Sequence, residues 1–289
     1  MPRPITAMAA GVVLAFGIAT SPALAEKKVN IGWTAWSDAE FITTLTKQIL
    51  EERFDYEVEL TLADIAIQYQ GVARGDLDFM MMSWLPSTHQ DYMEQVGTDV
   101  FSPGILYTDA RLGWAIPDYI PEDELSSIED LNKPEVRQQL GGRIQGIDPG
   151  AGLMRLSLQT IDDYGLDYEL VSASGAGMTA ALDRAIRRNE WIVVTGWSPH
   201  WKFGAYELRY LEDSKGSLGG AERVHVIARN GFGQEHPEVL GFLARMHLPL
   251  DELQSAMYEA TQTSYEEAAA AYIENNPARI EYWVTGEIQ

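Results

Sequence analysis

Segments with strand and helix periodicity alternate early in the chain, and this alternation restricts the fold more than any other feature of the sequence. Lys28–Trp33 and Tyr56–Leu60 have strand patterns, and the apolar run Leu77–Met82 is typical of a strand buried on both faces. Helical patterns lie between them, with Asp38 as the expected N-cap of the first helix. A β-α-β-α-β order predicts an open, mostly parallel sheet covered by helices.

A second set of alternating segments begins at about residue 111. Its strand patterns are Leu112–Ile116, Arg143–Ile147, Tyr168–Ser172 and Trp191–Thr195, and its helical patterns are Leu153–Tyr164 and Met178–Arg188. A further strand (Arg223–Ala228) and three helices (Pro237–Met246, Leu250–Thr263 and Ser264–Asn275) follow. Two such units predict an α/β fold with two lobes, each an open sheet, joined by a hinge. We expect residues 26–110 and 209–289 to form one lobe and residues 111–208 the other.

Residues 1–25 have the three parts of a secretory signal peptide. Arg3 supplies the positive charge, Met8–Ala19 is apolar, and Ala23-Leu24-Ala25 fits the small-x-small pattern of a cleavage site. The apolar stretch is shorter than the roughly 20 residues that a membrane-spanning helix needs. We therefore expect an exported, periplasmic protein, without a lipid anchor because the chain has no cysteine.

The charge balance and the motif content exclude several functions. Lys and Arg number 21 against 43 Asp and Glu, a net charge of −22 that argues against nucleic acid as a partner. Without cysteine the chain has no disulfide, thiolate metal site or thiol nucleophile. The five histidines lack the spacing of metal ligands, and neither HExxH nor GxSxG occurs. We expect no metal, no cofactor and no enzymatic activity.

Gly175–Ala180 (GAGMTA) matches the GxGxxA pattern of dinucleotide-binding turns. Such turns need an acidic residue at the end of the next strand, and Thr195, Gly196 and Trp197 stand there instead. We interpret the segment as a tight turn between a strand and a helix.

Four of the eight tryptophans lie at the expected ends of strands. Trp33 ends the first strand, Trp36 follows it, Trp84 follows the third strand, and Trp197 follows the last strand of the second unit. For any one tryptophan, packing in the core is the more common role. Their shared placement in both units instead predicts a binding site, because ligands bind at the carboxyl ends of strands. Aromatic faces attract cations, and a quaternary ammonium, which has no N–H to donate, is held in this way.

Backbone N–H groups and one histidine are the candidates for holding a carboxylate beside that cation. Ser37 and Asp38 precede the first helix, and Gly150 and Ala151 precede another, and helix N-termini attract anions. His200 lies in the loop after the last of the four tryptophans and has an N–H to donate. Structural alternatives stay open: Asp38 as a helix cap, the segment at Gly150 as an ordinary turn, and His200 as a surface or capping residue.

Three sequence blocks resemble those of substrate-binding proteins of ABC importers for glycine betaine, proline betaine and choline. The blocks are GDLD (75–78) with WLP (84–86), GIDPGAG (146–152), and GWSPHW (196–201) with YLED (210–213). The similarity extends over nearly all of residues 28–285. It implies a type II periplasmic binding protein, expected as a monomer, whose lobes close on the solute and deliver it to an ABC permease in the inner membrane.

The same resemblance implies a tryptophan cage formed by Trp84 and Trp197, with Trp33 or Trp36 as a further wall. It also implies that His200 helps to hold the carboxylate of the ligand.

Choline-binding relatives carry an acidic residue two positions after the tryptophan of the first loop. Counted from Trp33, this position is Ala35, which favours glycine betaine or proline betaine as the ligand. Choline, carnitine, ectoine and an amino acid stay open as alternatives, and an exported hydrolase is a distant one. Asp38 and Asp148 are the candidate partners for the ammonium group of an amino acid.

Overall fold

Ten strands form one continuous series in the order β2-β1-β3-β10-β5-β8-β6-β7, with β4 beside β10 and β9 beside β5. The computed structural model describes residues 27–288, so the expected signal peptide lies outside the described residues. The strands are β1 (Lys28–Trp33), β2 (Glu57–Leu62), β3 (Phe79–Leu85), β4 (Val100–Phe101), β5 (Ile105–Pro117), β6 (Arg143–Gln145), β7 (Glu169–Val171), β8 (Val194–Ser198), β9 (Leu208–Tyr210) and β10 (Glu222–Arg229).

Twelve α-helices accompany these strands in the described chain. They are α1 (Ser37–Phe54), α2 (Ile65–Arg74), α3 (Gln90–Val96), α4 (Pro134–Leu140), α5 (Gly152–Tyr164), α6 (Gly175–Arg188), α7 (Lys202–Ala205), α8 (Phe232–Glu235), α9 (Pro237–Arg245), α10 (Leu250–Gln262), α11 (Tyr265–Asn275) and α12 (Pro277–Thr285). Across residues 27–288, none of the helices combines the length and the apolar character needed to cross a membrane.

The series of strands divides at β5 into two half-sheets. In the first, β1 is parallel to β2 and β3, and β10 is antiparallel to β3 and β5. In the second, β6 is parallel to β7 and β8, and β5 is antiparallel to β8 and β9. The first half-sheet, together with the helices and loops that follow its strands, is called the first lobe. The second half-sheet, with the helices and loops that follow its strands, is called the second lobe.

Strand β5 belongs to both half-sheets. Ile105–Ala110 pairs with β10, whereas Arg111–Pro117 pairs with β8 and β9. Asp109, with φ of 60°, lies next to this change of partner. The chain returns to the first half-sheet at β10, after β9 and a bridge between Ser127 and Glu212 in the second lobe. The expected lobe limits, at residues 110/111 and 208/209, stay predictions.

Two strands extend further than their sequence patterns predict. Strand β3 continues to Leu85 and β8 runs from Val194 to Ser198, so that Trp84 and Trp197 lie inside strands rather than after them. Small polar residues end each apolar run in the sequence, which is why the strands were expected to end there. Backbone pairing nevertheless continues through both tryptophans: Trp84 is paired with Val224 of β10, and Trp197 with Leu112 of β5.

The expected N-cap of the first helix was also wrong. Trp36 occupies the cap position and makes no side-chain cap bond, and Asp38 lies within the first turn with its side chain fully buried. Its carboxylate accepts hydrogen bonds from tertiary partners instead, as described below. Near the C-terminus, α10 and α11 lie where two helices were expected, and the additional helix α12 buries Trp283.

Candidate functional site

A small cavity lies between the two lobes, near the carboxyl ends of β1, β3, β6 and β8. Residues from both lobes form its wall: Trp36, Asp38, Trp84, Thr88, His89, Leu112, Ile147, Ala151, Gly152, Leu153 and Trp197. The position agrees with the rule that α/β sheets bind ligands outside the carboxyl ends of their strands.

Three tryptophans dominate this wall. Trp36 follows β1 and Trp84 lies near the end of β3, both in the first lobe, whereas Trp197 comes from β8 in the second. The ring centroids of Trp36 and Trp197 are 6.4 Å apart, with an angle of 58° between the planes. Aromatic faces around one cavity attract a cation, and quaternary ammonium groups are held in this way.

The indole N–H groups of two of these tryptophans bond to aspartates of the opposite lobe. Trp36 Nε1 donates to Asp148 Oδ2 at 2.9 Å, and Trp197 Nε1 donates to Asp38 Oδ1 at 3.1 Å. Trp84 Nε1 lies 3.0 Å from Met82 Sδ within its own strand. Because these edge N–H groups have partners, the rings are held in place.

Asp38 is the acidic residue on the wall of this cavity. Burial raises the pKa of its carboxyl group, while hydrogen bonds from Tyr107 and Trp197 favour the ionised form. The Tyr107 hydroxyl donates to Oδ2 at 2.8 Å, so both carboxylate oxygens have donors.

His89 faces the cavity in the neutral form. Its Nδ1 accepts the backbone N–H of Trp84 at 3.1 Å, which places the ring proton on Nε2 and makes that nitrogen a donor. Burial lowers the pKa of His89 to about 3. Beside it, Gly152 and Leu153 begin α5, and the first N–H groups of a helix have no acceptor within the helix.

The expected site residues separate into two groups. Trp36, Trp84, Trp197 and Ala151 line the cavity. Trp33, Ser37 and Gly150 do not line the cavity. Trp33 pairs with Leu62 at the end of β1, and Ser37 is the buried first residue of α1. The carbonyl of Gly150 accepts a hydrogen bond from the Tyr92 hydroxyl at 2.7 Å.

His200 lies behind the cavity wall. Its ring is buried 4.6 Å from that of Trp197 in an edge arrangement, and its Nδ1 accepts the backbone N–H of Lys202 at 3.1 Å. Burial and the neighbouring lysine lower the pKa of His200.

Sequence reasoning missed His89 and the cavity-facing position of Asp38. The available signal for His89 was its place in the loop after Trp84, similar to that of His200 after Trp197. With Trp36 as the tryptophan of the first loop, the residue two positions later is Asp38 rather than alanine. Alanine at position 35 therefore does not count against choline as a ligand.

Within the described part of the chain, no group of three or more His, Asp or Glu side chains could hold a metal ion. The two half-sheets, with a cavity lined from both lobes, define a type II periplasmic binding protein. The chain belongs to the OpuAC family, the substrate-binding domain of ABC-type glycine betaine transport systems, whose model matches residues 27–275.

Related proteins include members with described ligands. A glycine betaine/carnitine transport binding protein of Listeria monocytogenes, GbuC, is 36% identical over 158 residues, which are 53% of this chain and 53% of that protein. The alignment thus spans about half the length of that relative.

Solved structures share the fold, which confirms the predicted two-lobed α/β architecture. Lactococcal OpuAC, closed on glycine betaine, has a TM-score of 0.83 and 33% identity, covering 90% of this chain and 100% of that chain. An ABC-transporter choline-binding protein in complex with choline has a TM-score of 0.81 and 26% identity, covering 90% and 92%.

Proposed function

We propose that this protein binds a quaternary-ammonium solute, glycine betaine or proline betaine, and delivers it to an ABC import permease. The observation that carries the proposal is the set of three tryptophans, Trp36, Trp84 and Trp197, that line one small cavity between the lobes. Each aromatic face contributes about 0.5–2 kcal/mol to holding a cation. The family and the glycine betaine complex of a similar structure support the same ligand class.

The carboxylate of a betaine has its own candidate partners among the residues that line the cavity. His89 offers an Nε2–H, and the N-terminus of α5 offers the backbone N–H groups of Gly152 and Leu153. Neutral donors and a helix dipole stabilise an anion without a buried cation. In this arrangement His89, rather than His200, contacts the carboxylate.

Contacts across the cleft describe the closed state. Arg155 Nε of the second lobe lies 3.0 Å from Asp91 Oδ2 of the first, and the Tyr92 hydroxyl bonds to the Gly150 carbonyl. A ligand that touches both lobes favours this closed form because it makes more contacts there than in an open form. The permease then distinguishes the loaded protein by its shape.

The cellular location that we propose follows from the same function. We propose that residues 1–25 direct export, that the mature protein works in the periplasm, and that it binds its solute without chemical conversion. The family of importer binding proteins supports these assignments.

Choline is the second candidate, favoured by one specific observation. Asp38 lines the cavity two positions after Trp36, where the resemblance implies an acidic residue in choline-binding proteins. Both of its oxygens already accept hydrogen bonds, so a choline hydroxyl would have to share an acceptor. The same engagement, and that of Asp148 with Trp36, argues against an amino acid ammonium at these carboxylates.

Titration of the purified protein with glycine betaine, proline betaine, choline and carnitine tests the proposal. Tryptophan fluorescence and isothermal titration calorimetry should both report saturable binding, with at least one betaine at a Kd on the order of micromolar, about −8 kcal/mol. Proline, which carries a secondary ammonium, is the matched control ligand and should bind far more weakly. Absence of saturable binding with all four solutes would refute the quaternary-ammonium assignment.

A further inference from the structure

A lysine without a hydrogen-bond partner lies directly behind the tryptophan cage. Lys202 begins α7, its side chain is fully buried, and its Nζ finds no hydrogen-bond partner among residues 27–288. Nζ lies over the Trp197 ring, 4.4 Å from its centroid, and 5.1 Å from that of Phe203. A buried ammonium is rare unless an opposite charge balances it.

Asp38 is the opposite charge that acts on Lys202. Burial lowers the pKa of Lys202, and the carboxylate of Asp38 acts in the other direction and favours the charged lysine. Trp197 joins the two groups, because its N–H donates to Asp38 while its face contacts Nζ. As long as the pair holds one proton, on the amine or on the carboxyl group, it has no net charge.

We propose that Lys202 is a specificity-determining residue that balances the charge of Asp38 and so makes the cavity prefer a zwitterion over a monocation. The proposal rests on the proposed function. Lys202 does not line the cavity, so it acts on the ligand through charge rather than through contact.

The physical reason is the difference in net charge between the candidate ligands. Glycine betaine has a cationic and an anionic end, whereas choline is a net cation. An unbalanced Asp38 carboxylate on the wall would attract choline and would repel the carboxylate of betaine. In a partly buried site such charges act at an effective dielectric of about 20, so one unbalanced unit charge a few ångströms away changes affinity by at least about tenfold.

The experiment measures the Kd of glycine betaine and of choline by calorimetry at about pH 7, where an isolated carboxyl group is ionised. The variant Lys202→Met removes the charge and keeps a side chain of similar length. We expect the ratio of the choline affinity to the betaine affinity to rise at least about tenfold. In the double variant Lys202→Met with Asp38→Asn, which restores a neutral pair, the ratio should return toward the wild-type value.

Two further variants separate charge from packing. Lys202→Arg keeps the charge and should keep the wild-type ratio. Asp38→Asn alone leaves the lysine unbalanced and should move the ratio in the opposite direction, and it serves as the test if Lys202→Met does not fold, as judged by circular dichroism.

An unchanged ratio in folded Lys202→Met, or an Asp38→Asn shift toward choline, would overturn the proposal. Failure of the wild-type protein to bind either solute would instead refute the proposed function, so the two failures are distinguishable.

Discussion

Trp197 and Asp38 approach each other from different lobes, and the indole Nε1 of Trp197 donates to Oδ1 of Asp38 at 3.1 Å. In the hydrogen bond between Trp36 and Asp148 the lobes are exchanged, because here the tryptophan belongs to the first lobe and the aspartate to the second. The indole rings of Trp36 and Trp197 are therefore each oriented by a carboxylate of the opposite lobe. Closure of the lobes positions the aromatic rings as well as bringing them together.

Trp36 and Trp33 can be compared as candidates for the wall supplied by the first loop. Trp36→Ala should weaken glycine betaine binding at least about tenfold, because one cation–π wall contributes roughly 1–2 kcal/mol. Trp33→Ala is the matched control, since Trp33 is absent from the cavity lining, and should change the Kd by less than about threefold, or about 0.7 kcal/mol. Calorimetry on both folded variants measures the difference, and equal losses would contradict the assignment.

Trp197 and Trp201 form a second matched pair within one short segment. Trp197→Ala should weaken betaine binding at least about tenfold, for the same cation–π reason. Trp201, which lies outside the lining and contacts His200 and Tyr206, is the control. Comparable affinity of Trp197→Ala and wild type would remove Trp197 from the site.

His89 and His200 should differ in how they affect the two ligand classes. His89→Ala removes a donor to a carboxylate and should reduce glycine betaine affinity at least about tenfold, since a hydrogen bond to a charged group contributes about 1.5–3 kcal/mol. Choline, which has no carboxylate, should lose much less. His200→Ala should affect both ligands alike, because His200 only supports Trp197 from behind. A selective effect of His200→Ala on betaine would reverse the two roles.

Gly152 permits the close approach of the two lobes. A Cβ atom at Gly152 would overlap the carbonyl oxygen of Thr88 and lie 2.7 Å from its Cγ2, whereas a Cβ atom at Gly150 would meet nothing within 4 Å. Gly152→Ala should therefore hinder closure and weaken betaine binding at least about tenfold, and Gly150→Ala should bind nearly normally. Small-angle scattering with saturating ligand should show a larger radius for Gly152→Ala. Full closure of this variant would contradict the prediction.

The buried neutral His89 gives stability a defined dependence on pH. Its pKa is about 3 in the folded protein and about 6.5 when unfolded, so between these values the unfolded state binds the additional proton. The contribution of His89 to the free energy of unfolding should fall by about 1.4 kcal/mol per pH unit as the pH drops from about 6.5 toward 3, and should be constant above that range.

Urea unfolding at a series of pH values measures this dependence as the difference between wild type and His89→Gln. The exposed His247 provides the control variant, His247→Gln. A difference between wild type and His89→Gln that does not change with pH would show that His89 is not held neutral in the fold.

Periodicity and composition predicted the architecture because they report which faces are buried. Strand β1 and the helices α5 and α11 follow directly from their patterns. Helix α12 was missed because only Ile280 and Trp283 of its residues are buried, so its apolar pattern is short. Trp84 and Trp197 were predicted to follow their strands but lie inside them, one residue before the end. Where these strands end depends on pairing with β10 and β5, which local sequence does not specify.

The remaining site features depend on contacts between distant segments. From sequence alone, an aspartate near the start of a helix is as typical of the N-cap position as of the first turn. Only the positions of Tyr107 and Trp197, which donate hydrogen bonds to Asp38, show why its side chain points inward. His89 belongs to no motif that sets it apart from the other histidines. The need for glycine at position 152 follows from how closely Thr88 approaches, which is a property of the closed lobes.

Because β5 is a single 13-residue strand shared by both half-sheets, the two lobes are joined through an unbroken backbone, in which Asp109 has a φ of 60° next to the change of partner. Torsion at a few bonds there can turn one lobe against the other while each keeps its own hydrogen bonds. A small rotation at such a pivot becomes a large displacement at the surfaces furthest from it. Binding of a solute in the cavity thereby changes the distance between the outer surfaces of the two lobes. A membrane partner can detect this distance without contacting the solute.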